Sequence, residues 1–173
     1  SLLVDNGKFN HKWLRSFVED LNNFLSKTQI IIVASGAVPL GKSYLKFNTH
    51  DVNLNMKQAF AACGQIFLMN NFIKVFEENK RKVAQILLTF SDTEDRRRSL
   101  NSRETIKSLL LSDVIPIINE NDTVATDELK FGDNDRLAAR VAQIVEADLL
   151  ILLTDVKGLF NKNPKYNVDA KLV

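Results

Sequence analysis

Residues 114–135, VIPIINENDTVATDELKFGDND, constrain the fold more than any other stretch of this chain. An apolar run stops abruptly at four polar residues, Asn119, Glu120, Asn121 and Asp122. After Gly132 a second polar cluster, Asp133-Asn134-Asp135, opens a helical pattern in which Leu137, Val141, Ile144 and Val145 form an apolar face. The spacing predicts a strand, a loop and a helix. Three acids (Asp122, Asp133, Asp135) and two amides (Asn121, Asn134) then lie at a strand end and a helix start. Ligands of α/β sheets bind in those two places, because strand ends open into a crevice and helix N-termini carry free N–H groups.

The same unit recurs along the chain. The run Gln29 to Ala34 is β-branched-rich and ends at Ser35-Gly36-Ala37; Val83 to Thr89 ends at Ser91-Asp92; Leu149 to Leu153 ends at Thr154-Asp155. Continuous apolar runs of strand length suit a parallel sheet buried on both faces. Helical patterns separate them. Asn10 can cap a helix with Trp13, Leu14, Phe17, Val18, Leu21, Phe24 and Leu25 on one face, and a long pattern runs from about Leu54 to Asn79. Asn101, with Glu104 three residues on, resembles a capping box, and Asp95-Arg96-Arg97-Arg98 reads as a solvated turn, with an anion or subunit contact as the alternative. Ser1 to Val4 reads as the tail of a strand, followed by a turn at Asp5-Asn6-Gly7. The expected fold class is α/β: a three-layer α/β/α sandwich with a mainly parallel sheet, its polar strand tips along one edge.

Composition narrows the function. With 23 basic and 21 acidic residues the net charge is +2, too balanced for a dedicated nucleic-acid binder. The longest uninterrupted apolar run is too short to span a bilayer, no signal peptide is visible, and a cytoplasmic location is expected. The single cysteine, Cys63, excludes an intrachain disulfide and a thiolate zinc cluster; it sits among small apolar residues and reads as a packed thiol. His11 and His50 have no second ligand at metal spacing, so no protein metal site is expected.

Two phosphate-binding readings compete. Gly36-Ala37-Val38-Pro39-Leu40-Gly41-Lys42-Ser43 satisfies G-x-x-x-x-G-K-S after a strand, which would make Lys42 a P-loop lysine. In the bland alternative the glycines permit a tight turn and Lys42 is exposed. The P-loop reading leaves the polar clusters of 119–135 without a role. The small residues Ala59, Ala61, Ala62 and Gly64 form a stripe that suits close backbone packing or a subunit contact.

The strings SGA at 35–37, MKQAFAACGQ at 56–65, LLTFSDTEDR at 87–96, INENDTVAT at 118–126, KFGDNDRLAA at 130–139 and LLTDVKGLF at 152–160 resemble, in order, the glutamate 5-kinases of the amino acid kinase family. The resemblance covers essentially the whole chain. It implies ATP-dependent phosphorylation of the L-glutamate γ-carboxylate, the first step of proline synthesis. By position, Ser35 would contact the glutamate, Asp122 and Asn134 would hold its backbone groups, and Asp133 would support them. Asp135 would organise the phosphoryl transfer. Thr154, Asp155, Lys157 and Gly158 would lie at the nucleotide, with Lys130 adding positive charge. The resemblance also implies ATP and Mg2+, feedback binding of L-proline over the glutamate site, and a homo-oligomer. No nucleic-acid or membrane partner is implied.

Two departures qualify that expectation. Only Ser1 matches the end of the family's opening Lys-x-Gly-x-Ser segment, and no later glycine-rich segment ending in lysine follows 149–155. The expectation is an incomplete amino acid kinase domain over 1–173. Each missing charge-stabilising donor costs on the order of 3 kcal/mol in the transition state, so low activity follows. The remaining alternatives are a non-catalytic glutamate- or proline-binding module and a P-loop NTPase.

Overall fold

Aliphatic residues alternating in direction along one strand build the centre of the molecule. The computed structural model describes residues 2–5, 7–49, 52–124, 134–154, 158, 160–162 and 166–173. A short antiparallel ribbon, β1 (Val4–Asp5) and β2 (Lys8–Phe9), precedes helix α1 (His11–Asn22). Strand β3 (Ile32–Val33) leads into α2 (Ala37–Tyr44), followed by the long α3 (Leu54–Glu78) and β4 (Lys82–Leu88). Two helices, α4 (Phe90–Glu94) and α5 (Arg96–Leu111), come before β5 (Val114–Glu120) and α6 (Asn134–Val145).

The described sheet is parallel, in the order β3-β5-β4, with Ile32 opposite Ile117 and Lys82 opposite Val114. Successive side chains of a strand point to opposite faces. Accordingly Ile115 and Ile117 of β5 join Leu14 and Val18 of α1 and Leu68, Phe72 and Phe76 of α3 in one core. Ile118 points the other way, into a second core with Leu88, Ile106 of α5 and Leu137 and Val141 of α6. Helices on both faces of a parallel sheet make the expected α/β/α sandwich. Among the described residues α3 is the one helix long and apolar enough to cross a membrane, and it supplies much of the first core.

Local signals explain most boundaries. Asn10 Oδ1 accepts the Trp13 N–H at 3.1 Å, and Asn53 Oδ1 accepts the Met56 N–H at 2.9 Å, so both helices start at side-chain caps. The helix over 11–22 ends before Phe24, which is 60% exposed rather than on the buried face.

Three expectations need correction. Asp95, not Asn101, caps α5: its Oδ1 accepts the Arg98 N–H at 2.8 Å, and Asn101 lies inside the helix. The arginine run is therefore a first helical turn, with Arg98 paired to Asp92 at 3.0 Å. The run Leu149 to Leu153 joins no strand ladder of the described sheet, and its side chains are 41–74% exposed. A strand is made by ladder bonds to a neighbour, and apolar composition gives the propensity without the partner. Of Gln29 to Ala34, only Ile32–Val33 forms ladder pairs, extended by the Ala34 N–H donating to Ile118 O at 2.8 Å.

Candidate functional site

Because β5 is the middle strand, its side chains are buried from Ile115 to Glu120, so the polar end of the run lies inside the protein. Asn119 is 2% exposed. A buried amide must find partners, and Asn119 finds three. Its Oδ1 accepts the Glu120 N–H at 2.9 Å and one Asn134 Nδ2 hydrogen at 2.8 Å, while its Nδ2 donates to Gln65 Oε1 at 2.7 Å. Asn134 Nδ2 also donates to the Ala34 carbonyl. Carbonyls only accept and backbone N–H groups only donate, so Ala34 and Glu120 orient both asparagines. The relay joins the ends of β3 and β5 to the starts of α6 and the middle of α3. Gln65 Nε2, beyond its end, is buried and has no partner among the described residues. Such an unsatisfied donor costs about 1–3 kcal/mol.

Beside the relay lies a cavity of ≈ 190 Å³, lined by Ala61, Ala62, Gln65 and Ile66 of α3, Gln85 and Leu87 of β4, and Glu120 to Thr123. It sits at the carboxyl edge of the sheet, where the Asn121 N–H donates to Leu88 O at 2.9 Å and continues the pairing of β4 and β5. That is smaller than the roughly 300–1,000 Å³ of drug-sized sites, so it suits a small polar molecule. Glu120 and Asp122 are both buried, each 9% exposed. Burial disfavours the charged form of Asp122, and the neighbouring Glu120 adds repulsion; together they push its carboxyl up to about 6. The buried Asp122 carboxyl, with the charge of Glu120 near it, favours a cationic group in the cavity.

The expected site residues fall into three groups. Ser35 and Asn134 are brought together, since Asn134 bonds to the carbonyl of the residue before Ser35. Gly36, with φ 117°, turns the chain left-handed into α2, and an added Cβ would meet Val4 Cγ2 at 2.6 Å. Asp122 lines the cavity. Asp135 is exposed in the first turn of α6, where a carboxylate complements the helix dipole. Thr154 and Gly158 are exposed and do not line the cavity. Asp133, Asp155, Lys157 and Lys130 lie outside the described residues.

Ser91 and Asp92, expected to share the crevice, are engaged otherwise. Asp92 Oδ2 accepts the Thr89 N–H at 2.8 Å and the Thr89 hydroxyl at 2.5 Å, while Thr89 Oγ1 accepts the Asp92 N–H at 3.2 Å, a capping box for α4. The P-loop reading also fails. A P-loop places its lysine and serine at a helix start, whereas α2 already begins at Ala37 and Lys42 lies in its last turn. Lys42 Nζ donates instead to Thr49 O at 3.0 Å.

Gln65, Gln85 and the structural role of Asn119 were not singled out by sequence reasoning. One signal was available for Gln65: it falls on the buried face of α3, between Ala61 and Leu68, where a polar residue requires a partner.

The family model described as "Amino acid kinase family" matches residues 1–173. The chain is 48% identical over 175 residues to a protein named glutamate 5-kinase from Pelagibacter ubique (strain HTCC1062), covering 100% of this chain and 48% of the relative. It is 48% identical over 174 residues to one of that name from Caulobacter vibrioides (strain NA1000 / CB15N), covering 99% of this chain and 46% of the relative. A third of that name, from Caldanaerobacter subterraneus subsp. tengcongensis, is 47% identical over 174 residues, covering 100% of this chain and 47% of the relative. The chain thus spans about half the length of the curated relatives it matches. A family match over every residue, carried on a parallel sheet with a polar cavity at its carboxyl edge, places this chain in the amino acid kinase family.

Proposed function

We propose that the chain carries the amino acid site of a glutamate 5-kinase, which transfers the ATP γ-phosphoryl group to the γ-carboxylate of L-glutamate. The observation that carries this reading is 48% identity along the full chain to a relative of that name, with Asp122 of the INEND segment buried in the cavity. The α-ammonium of glutamate is the natural partner of Asp122, because a cation compensates the charge that burial disfavours. Asn134, at the helix start, would share the grip on the backbone groups with Asp122, Ser35 would contact the glutamate, and Asp133 would support them.

The acceptor is a carboxylate, already ionised at neutral pH, so no general base is required. Catalysis then rests on positioning and charge neutralisation. Asp135, exposed at the start of α6, would align the cationic groups around the transferred phosphoryl, and 154–158 would face the nucleotide. Among the described residues no group of three or more His, Cys, Asp or Glu side chains could hold a metal ion. Mg2+ would be held chiefly by nucleotide phosphates, as is usual for that ion. L-proline would compete for the amino acid cavity, subunits would pair into a homo-oligomer, and the biosynthetic role would place the protein in the cytoplasm.

Calorimetric titration of L-glutamate and of ATP into the wild type, Asp122→Ala and Lys42→Ala tests the reading. Glutamate binding should vanish in Asp122→Ala and persist in Lys42→Ala. Loss of ATP binding in Lys42→Ala with Asp122→Ala silent would overturn it. Trapping of the acyl phosphate by hydroxylamine reports the transfer itself.

A further inference from the structure

The unpartnered Gln65 Nε2 stands at one end of a directional chain of amides. Ala34 O can only accept, so Asn134 must turn its Nδ2 toward it. The second Asn134 hydrogen goes to Asn119 Oδ1 at 2.8 Å, which the Glu120 N–H also holds at 2.9 Å. Asn119 Nδ2 is thereby committed toward α3, where Gln65 Oε1 receives it at 2.7 Å. Gln65 must face that way to accept, and its buried Nε2 is left without a partner among the described residues. The polarity of the relay outweighs the satisfaction of its last donor, which is unusual for a side chain that only fills space.

We infer that Gln65 is a positioning residue: its Oε1 locks Asn119, and Asn119 in turn locks the edge of Asn134 that the site presents. Both Asn134 Nδ2 hydrogens are spent within the protein, so Asn134 offers a ligand its Oδ1, an acceptor. The edge beside Ser35 is therefore acceptor in character, as is the Asp122 carboxyl at the cavity. A ligand's ammonium group, rather than its carboxylate, matches that edge. Remove the Gln65 acceptor, and Asn119 loses the contact that holds its Nδ2 toward α3. The ligand part of this inference rests on the proposed glutamate site; the relay does not.

The test compares Gln65→Met, which keeps the length and loses the acceptor, with Gln65→Glu, which keeps an oxygen acceptor whether ionised or not. On ¹⁵N-labelled protein without ligand, the side-chain amide resonances of Asn119 and Asn134 are followed by chemical shift and hydrogen exchange. Gln65→Met should shift both pairs and speed their exchange, with the backbone spectrum away from the site unchanged. Gln65→Glu should leave both pairs near their wild-type positions. Unchanged Asn134 amide hydrogens in Gln65→Met, or equal disturbance in both variants, would overturn the relay. L-glutamate affinity should fall about tenfold in Gln65→Met, the loss of one hydrogen bond to a well-placed group. Wild-type affinity in that variant would overturn the positioning role. If the wild type binds no L-glutamate, the proposed function falls, and the amide resonances still decide the relay.

Discussion

Glu120 and Asp122, at and just past the end of β5, are both buried, and the charge of Glu120 reinforces the desolvation that lifts the Asp122 carboxyl to about 6. The consequence for stability has a definite sign. Asp122 titrates higher in the folded protein than its ordinary value of 3.8, so the fold favours the protonated form. Its stabilising contribution is fully present below the unfolded pKa and is lost as pH rises through about 6. At neutral pH the ionised group opposes folding by about 3 kcal/mol, at 1.36 kcal/mol per pKa unit.

Asp122→Asn should therefore stabilise the unligated protein at neutral pH by up to about 3 kcal/mol and have little effect near pH 4. Urea unfolding at the two pH values checks this. The same variant should lose L-glutamate binding. A variant no more stable than wild type at neutral pH would show that Asp122 is already compensated by a cation.

Ligand binding should show the opposite pH trend. An ammonium group binds ionised Asp122, so affinity for L-glutamate should weaken as pH falls through about 6, with proton release on binding largest near that pH. Calorimetry in buffers of different ionisation enthalpy measures the released proton. Affinity flat between pH 5 and 7.5 would remove Asp122 from direct ligand contact.

The packing of α2 on α3 leaves no room for side chains at two glycines. A Cβ at Gly64 would lie 1.8 Å from Ala37 O, and one at Gly41 would lie 1.8 Å from Phe60 O. Both obstacles are backbone atoms and cannot rotate away. Gly64→Ala should cost about 3 kcal/mol or more, the upper end of overpacking, with helices forced apart next to Ser35 and the cavity. Thermal unfolding measures it; a cost below about 1 kcal/mol would mean that the two helices slide freely.

The strand that ends in Asn119 and Glu120 and the helix that opens at Asn134 were legible from their apolar pattern and polar ends. The helix cap at Asn10 was legible because capping is local. What sequence reasoning missed was long-range. Gln65 and Asn119 are 54 positions apart, and nothing local to either states that they share a hydrogen bond. Lys42 matched a local pattern, yet its meaning depended on where α2 began, which Gly36 sets one residue after Ser35. Leu149 to Leu153 had strand composition, whereas pairing is a property of two segments.

The start of α5 separates two capping readings of one helix. Asp95 Oδ1 holds the Arg98 N–H at 2.8 Å, while Asn101 is exposed within the helix. Losing an N-cap side chain costs about 1 kcal/mol. Replacing an exposed mid-helix Asn by Ala gains a few tenths of a kcal/mol to about 0.7 from helix propensity. Asp95→Ala should therefore destabilise, and Asn101→Ala should be neutral or slightly stabilising. Chemical denaturation of both variants at neutral pH decides it. If Asn101→Ala is the destabilising change, α5 starts at Asn101 and the arginine run precedes the helix.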